Sequence, residues 1–274
     1  MKLYVFTSLL LITTLLGQSK FDFFPNELNI QPFNANALEP KLGFLLQTGK
    51  NELRLDIGNT REIFHYKIKA NRTLSFGADL FTFTKLRGEN EFHFPVDAID
   101  YLFGINFGYK SVDEDYTYGL RFRLSHISAH FVDGHYDNPT TSWKEGRYPR
   151  VYSREFIEFF PFIQIDGFRS YLGFTHLLHV VPKSIGKQIY QMGMEYYFSN
   201  FNFLNITPFI AFDFKLFKIE KYEGSNTING GIKFGKINGA GFSIMINYFN
   251  GKSIHGEYYD HNEKYTSIAF NLDF

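Results

Sequence analysis

The sequence predicts an all-β protein, an antiparallel transmembrane β-barrel of about 12 strands. Three observations support this fold class. Aromatic residues make up 19% of the 274 residues, with 34 Phe and 18 Tyr against one Trp, a composition that suits strands and the aromatic girdles of membrane barrels. Long stretches alternate apolar and polar residues with period two, as strands do. The chain ends on such a stretch, and its last residue is Phe274.

The N-terminal segment has the pattern of a secretory signal peptide over residues 1–17. Lys2 supplies a positive charge, residues 3–16 form an uncharged apolar run, and Gly17 is a small residue suited to cleavage. The alternative is a membrane anchor. However, the run is short for a membrane span, and Lys20 follows soon after it.

Residues 18–40 are rich in Pro and Asn and are predicted to be an irregular periplasmic lead-in, or a segment tucked into the barrel mouth. Residues 41–274 are predicted to form the barrel. The second strand is long enough to suggest a bulge near Gly58 and Asn59. The predicted strands, an even number as single-chain bacterial barrels use, are roughly 41–48, 51–69, 73–86, 97–110, 115–131, 150–165, 168–180, 187–199, 204–220, 224–237, 239–250 and 262–274.

Composition excludes several classes of function. The 28 basic and 28 acidic residues balance, so no net charge favours nucleic acid as a partner. The chain has no Cys, which excludes disulfides and thiolate chemistry.

A soluble sandwich would show the same alternation, but the polar faces carry glycines beside charges of both signs, as a confined lumen would. The C-terminal strand also resembles the terminal signature of outer-membrane proteins. That resemblance implies location in the outer membrane and recognition of Phe274 by the barrel-assembly machinery.

The polar faces of the strands indicate a closed lumen. Their charges nearly balance in sign and are expected to pair across the barrel, so a wide porin is not favoured. The connections 87–96, 132–149 and 251–261 are long and are predicted to lie at the outer end, opposite the short turns. The inward charges include Arg54, Asp56, Asp79, Arg121, Arg123, Arg154, Glu158, Asp213, Lys215, Lys233 and Asp273.

One strand, residues 116–131, carries a candidate catalytic pair. Its even positions form the apolar, lipid-facing side, and His126 and Ser128 continue that side at the outer end. Two residues along one face are about 7 Å apart, close enough for an imidazole to take a proton from a serine hydroxyl. If residues 131 and 150 pair, Glu155 lies opposite His126, where it could orient the imidazole.

This constellation resembles the site of two families, the outer-membrane phospholipase A family and the lipid A 3-O-deacylase family. The resemblance implies a lipid acyl-ester hydrolase acting on outer-membrane lipids, with Ser128 as nucleophile, His126 as base and Glu155 as the orienting acid. Two departures stand out: Ala129 follows the serine where those families have Asn, and a longer loop precedes the acid. The segment LSHISAHFVD at 124–133 also resembles the His-x-Ser-x-His segment of an uncharacterised family of exported bacterial proteins, which implies no activity.

Other polar residues suggest further hypotheses. His130, Asp133 and Asp137 cluster at the start of an outer loop and are candidate ligands for Ca²⁺, the alternative being an ordinary solvated loop. His176 and His179 are predicted to face opposite sides of a regular strand. Since the lipid face tolerates polar residues near the headgroups, the alternative to a hydrolase is a non-enzymatic barrel, either a narrow channel or a structural protein.

Overall fold

The structure, a computed structural model, describes residues 20–201 and 204–273. The predicted signal peptide and Phe274 lie outside these ranges. The strands are β1 Phe21–Phe23, β2 Leu42–Thr48, β3 Glu52–Lys69, β4 Arg72–Arg87, β5 Val96–Val112, β6 Thr117–Phe131, β7 Tyr136–Asp137, β8 Ser142–Trp143, β9 Tyr152–Ile165, β10 Phe168–Val181, β11 Gln188–Tyr197, β12 Ile206–Ile219, β13 Lys221–Gly235, β14 Gly241–Lys252 and β15 Asn262–Asp273.

The helical segments of the described residues are short 3₁₀ turns at Asn90–Phe92, Asp133–His135, Lys144–Gly146, Ser199–Phe201 and Gly256–Tyr258. In the described part of the chain, no helical segment has the length and hydropathy of a membrane span.

Twelve strands, β2 to β6 and β9 to β15, form one closed antiparallel sheet. Each strand pairs with its neighbour along the chain, β6 pairs with β9 across the small β7–β8 hairpin, and β15 returns to β2. The predicted fold class is therefore confirmed. The bulge predicted near Gly58 is wrong: Gly58 pairs regularly with Phe81, and the register of β3 shifts between Glu62 and Phe64 instead. The regular pairing with Phe81 requires glycine at position 58, because the Cβ of Phe81 occupies the space that a Cβ at position 58 would need.

Alternate residues of the strands face outward, and most of them are apolar. On β5, Tyr101, Phe103, Ile105 and Phe107 are exposed on the outside, whereas Leu102 between them is buried inside. Exposed large apolar side chains on the outer surface are what a wall in contact with lipid requires. The end of the barrel with the long connections is called the outer end, and the end with short turns such as 166–167 is called the inner end.

The lumen is filled in part by residues 24–41, which we call the plug. Phe33 is fully buried, and its ring stacks on Tyr171 at a centroid distance of 4.0 Å. Glu39 is buried between two guanidinium groups, 2.9 Å from Nη1 of Arg121 and 2.8 Å from Nη2 of Arg123. A buried carboxylate needs such partners to offset its loss of hydration.

Most of the inward charges pair as expected. The guanidinium of Arg123 also pairs with Asp79 at 3.1 Å and with Glu158 at 3.5 Å. Further ion pairs join Arg54 to Asp56 at 2.6 Å and Arg169 to Glu195 at 2.6 Å. Within the described residues, three of the predicted inward charges make no ion pair: Arg154, Asp213 and Lys215.

The last outer connection, residues 253–261, folds into the mouth of the barrel, and we call it the roof. Nδ1 of His255 lies 3.0 Å from Oδ2 of Asp100 on β5, and the backbone N–H of Gly256 donates to the other carboxylate oxygen at 2.8 Å. At the rim, Arg150 donates two hydrogen bonds to Asp260, at 2.6 and 2.9 Å. These contacts join the roof to β5 and to the connection that precedes β9.

Candidate functional site

A polar patch lies on the outward face of β6, β9 and β10, near the outer end. Its centre is the pair His126 and Glu155, which lie directly opposite each other in the β6–β9 ladder. This is the register predicted from the sequence. Nδ1 of His126 is 2.6 Å from Oε1 of Glu155, and the His126 ring lies against Phe103 with centroids 4.9 Å apart.

A second histidine completes the patch. Nδ1 of His179, on β10, lies 2.8 Å from Oε2 of Glu155, so the two carboxylate oxygens serve two different imidazoles. The prediction that His176 and His179 face opposite sides is wrong. A register shift in β10 between Leu177 and His179 pairs His176 with Ile157 and His179 with Glu155, which turns both histidines outward. No feature of the sequence marks that shift, which is why sequence reasoning missed His179.

Ser128 lies one step nearer the outer end on the face of His126. It sits opposite Ser153 in β9 and Tyr101 in β5, and its side chain is half-buried. Within residues 20–201 and 204–273, no hydrogen bond joins its hydroxyl to His126. Because Nδ1 of His126 is engaged by the carboxylate, Nε2 is the ring nitrogen free to accept a proton from a hydroxyl.

The patch is only partly shielded from its surroundings. Side-chain exposure is 26% for His126, 39% for Glu155 and 64% for His179. The Ser128 side of the patch faces the outer end, and the apolar Leu124 and Ile157 lie on the inner side. A molecule approaching the outward face of the barrel can therefore reach the histidine ring while its apolar part contacts the wall beneath.

The predicted metal ligands are not brought together. In the described residues, no group of three or more His, Asp or Glu side chains is placed to hold a metal ion. Asp133 accepts a hydrogen bond from the N–H of Gly134 at the 3₁₀ turn after β6, and Asp137 accepts one from Thr140. His130 stays on the outer face of β6, beside Tyr101. The tight turn therefore separates the three side chains.

Fold and site together define a class of protein: a 12-stranded antiparallel barrel of the outer-membrane type that carries a histidine–carboxylate pair on its outward face. Residues 100–274 match the family described as "Protein of unknown function (DUF1207)". The chain belongs to that family. The matched range contains the whole polar patch, from β6 to β10. No curated protein matches the chain.

Solved structures of outer-membrane barrels share the fold. Outer membrane phospholipase A from Escherichia coli superposes with a TM-score of 0.55 at 11% identity, over 90% of this chain and 96% of that chain. The Salmonella typhi outer membrane phospholipase, solved as a dimer with bound calcium, gives 0.52 at 12% identity, over 81% of this chain and 79% of that one. LpxR from Salmonella typhimurium gives 0.36 at 12% identity, over 81% and 88%. The resemblance to an uncharacterised family is thus confirmed by the family match, and the resemblance to outer-membrane phospholipase A is confirmed for the fold alone.

Proposed function

We propose that the protein is an outer-membrane lipid acyl-ester hydrolase in which Ser128 is the nucleophile, His126 the general base and Glu155 the acid that orients the base. The observation that carries this proposal is the 2.6 Å contact between His126 Nδ1 and Glu155, on the outward face and next to Ser128. A nucleophile, a base and an orienting group in this order are the parts that acyl transfer by serine requires.

The reaction follows from these roles. Oγ of Ser128 attacks the ester carbonyl of a lipid while Nε2 of His126 takes the hydroxyl proton. Glu155 stabilises the resulting imidazolium through Nδ1. The imidazolium then gives the proton to the departing alcohol, leaving the acyl group on Ser128. A water molecule, deprotonated by His126, releases the fatty acid and restores the serine.

The position of the patch supports a lipid substrate. The site opens outward, so the molecules that reach it are those surrounding the barrel. The apolar side chains of Leu124 and Ile157 lie on its inner side, and the polar Ser128 and Ser153 lie toward the outer end. This gradient matches the boundary between acyl chains and headgroups, where the ester bonds of a lipid lie.

The test is hydrolysis of a phospholipid and lipid A panel by the refolded full chain, with and without Ca²⁺. We expect fatty-acid release by the wild type and a loss of at least about 100-fold in Ser128→Ala and His126→Asn. Ser153→Ala is the matched control, because Ser153 is the cross-strand neighbour of Ser128 on the same face; it should keep activity.

Two results would contradict the proposal. One is the absence of fatty-acid release from every lipid by a barrel shown to be folded. The other is equal release by the wild type and Ser128→Ala.

A further inference from the structure

The outer half of the lumen contains a cavity with about 850 Å³ of space between its walls, part of which is open to solvent. Ala37 and Leu38 of the plug line it from one side, and Ile254 and Tyr259 of the roof line it from another. The wall between them comes from β9 to β14. The cavity is on the lumen side of the barrel, whereas His126, Ser128 and Glu155 are on the outward face, so its use is independent of the proposed hydrolysis.

Much of the cavity wall is apolar. Phe156, Leu177, Ile185 and Ile189 belong to one buried cluster, against which Phe217 also packs, and all five line the cavity. Sites for small organic molecules typically have apolar walls with a few polar groups. The cavity has this character.

Two cations line the cavity without a direct partner. Arg154 on β9 and Lys215 on β12 both line it. In the described part of the chain, neither side chain makes a hydrogen bond or an ion pair, and Nε of Arg154 is buried with no acceptor. The guanidinium of Arg154 instead lies 5.6 and 5.7 Å from the ring centroids of Tyr152 and Phe156.

The contrast with the other inward arginines is sharp. Arg54, Arg121, Arg123 and Arg169 each have a carboxylate oxygen within hydrogen-bond distance. These ion pairs compensate the buried charges, although the Nε–H groups of Arg121 and Arg123 have no hydrogen-bond acceptor. Within residues 20–201 and 204–273 the guanidinium of Arg154 has no such carboxylate partner, and it lines the cavity.

The acids lining the cavity are engaged elsewhere. Asp213 accepts hydrogen bonds from Gln191 at 2.6 Å and from the hydroxyl of Tyr171. Glu158 accepts one from Thr175 at 3.3 Å and pairs with Arg123 at 3.5 Å. These acids attract Lys215 without contacting it, and Arg154 repels it. An anion placed beside Arg154 and Lys215 would offset that repulsion and accept their unused hydrogen bonds.

We propose that this cavity binds an amphipathic carboxylate, a molecule with one carboxylate and an apolar chain or ring. The carboxylate lies beside Arg154 and Lys215, and the apolar body lies against Leu177, Ile185 and Ile189. The plug closes the site on the inner side, and the roof covers it on the outer side.

The probe is octanoate, titrated calorimetrically into the full-length barrel in a non-ionic detergent, with octanol and octyltrimethylammonium as neutral and cationic matches. We expect saturable binding of one octanoate, with octanol at least about tenfold weaker. Arg154→Gln and Lys215→Gln should each weaken octanoate binding by about tenfold. Lys218→Gln, an exposed cation three residues further along β12, should not.

A second variant separates loss of binding from loss of folding. Ile254→Trp fills the cavity from the roof and leaves both cations in place; it should abolish binding while the barrel keeps its folded mobility on unheated gels. Equal affinity for octanoate and octanol, or unchanged octanoate binding in folded Lys215→Gln or Ile254→Trp, would overturn the proposal. Heat of dilution alone, identical with and without protein, would also overturn it.

Discussion

His179 and His126 hold one carboxylate between them: Nδ1 of His179 lies 2.8 Å from Oε2 of Glu155, and Nδ1 of His126 lies 2.6 Å from Oε1. A carboxylate bonded at both oxygens cannot rotate away from either ring. On the proposed function, His179 is therefore a positioning residue, which acts on His126 through Glu155.

Replacing His179 should lower the turnover of the proposed hydrolase without affecting lipid binding. Because His179 is 64% exposed, its contact with Glu155 contributes at most about 1 kcal/mol. We expect His179→Ala to lower kcat about two- to fivefold with KM unchanged, measured by fatty-acid release. His176→Ala is the control, since His176 also faces outward but makes no contact with Glu155. A rise in KM alone would show that His179 contacts the lipid instead.

Replacing Glu155 with Gln should lower the turnover of the proposed hydrolase less than replacing it with Ala. In Glu155→Gln the side-chain oxygen can still accept the hydrogen bond from His126 Nδ1, although the charge that stabilises the imidazolium is lost. In Glu155→Ala both are lost. We expect kcat to fall about tenfold in the first variant and about 100-fold in the second, measured on the lipid that the wild type hydrolyses best. Equal losses would mean that charge alone matters.

The plug should contribute strongly to the stability of the barrel. Glu39→Gln removes a buried carboxylate and leaves Arg121 without its acidic partner. Breaking a buried ion pair in this way costs about 3–5 kcal/mol, and the measurement is the free energy of unfolding by urea in lipid vesicles. Glu27→Gln, which breaks the exposed pair with Lys236, should cost less than about 1 kcal/mol. Equal costs would show that Glu39 is not essential to the fold.

The filled lumen also bears on the channel hypothesis. Since Phe33 and Glu39 occupy the lumen, we expect no steady conductance from the wild type in planar bilayers. Glu39→Ala, which releases the plug from Arg121 and Arg123, should produce openings, and Glu27→Ala should not. Steady conductance of the wild type, unchanged in Glu39→Ala, would favour a channel that bypasses the plug.

The rim contact between Arg150 and Asp260 should make the roof sensitive to acid. Hydrogen bonds from Arg150 lower the pKa of Asp260. A lowered pKa means that the stabilisation is fully present above the unfolded-state pKa, about 3.9, and is lost as the pH falls through the lower folded value. Asp260→Asn should therefore reduce amide protection in residues 253–261 at neutral pH, by less than about fivefold because the pair is exposed.

Hydrogen exchange, corrected for the intrinsic rate at each pH, measures this difference. The wild type and Asp260→Asn should differ by a constant factor between about pH 5 and 8 and converge once the pH falls below the lowered pKa of Asp260 in the folded protein. Comparing the two proteins removes the opposing effect of Glu257, whose pKa is raised by burial. A difference that persists undiminished in acid would mean that the carboxylate charge is not what ties the roof to Arg150.

The sequence was sufficient for much of the wall and for the pairing of His126 with Glu155. The alternation of apolar and polar residues locates each strand. Once the ends of the connection between β6 and β9 are chosen, the paired residues of these two strands follow, because antiparallel partners have a constant sum of residue numbers. The same rule failed for His179. One extra residue at Leu178 reverses the faces of everything after it, and a bulge of this kind depends on packing with both neighbouring strands.

The interior of the barrel was less predictable. The inward charges could be identified from the alternation along each strand. The ion pairs of Glu39, in the irregular lead-in, with Arg121 and Arg123 could not be predicted. Irregular segments have no period to fix their position, and Glu39 and Arg121 are 82 residues apart. The failure of His130, Asp133 and Asp137 to form a metal site has a similar cause, since a 3₁₀ turn directs neighbouring side chains apart.

The position of the plug has a consequence for the order of assembly. The plug immediately precedes β2, and β2 closes the ring by pairing with β15, the last strand of the chain. The first and last strands of the ring therefore meet beside the plug. Closing the ring early would shut Arg121 inside without its carboxylate, whereas closing it last encloses a lumen that is already neutralised. In this barrel the pairing that closes the ring is also the one that encloses the plug.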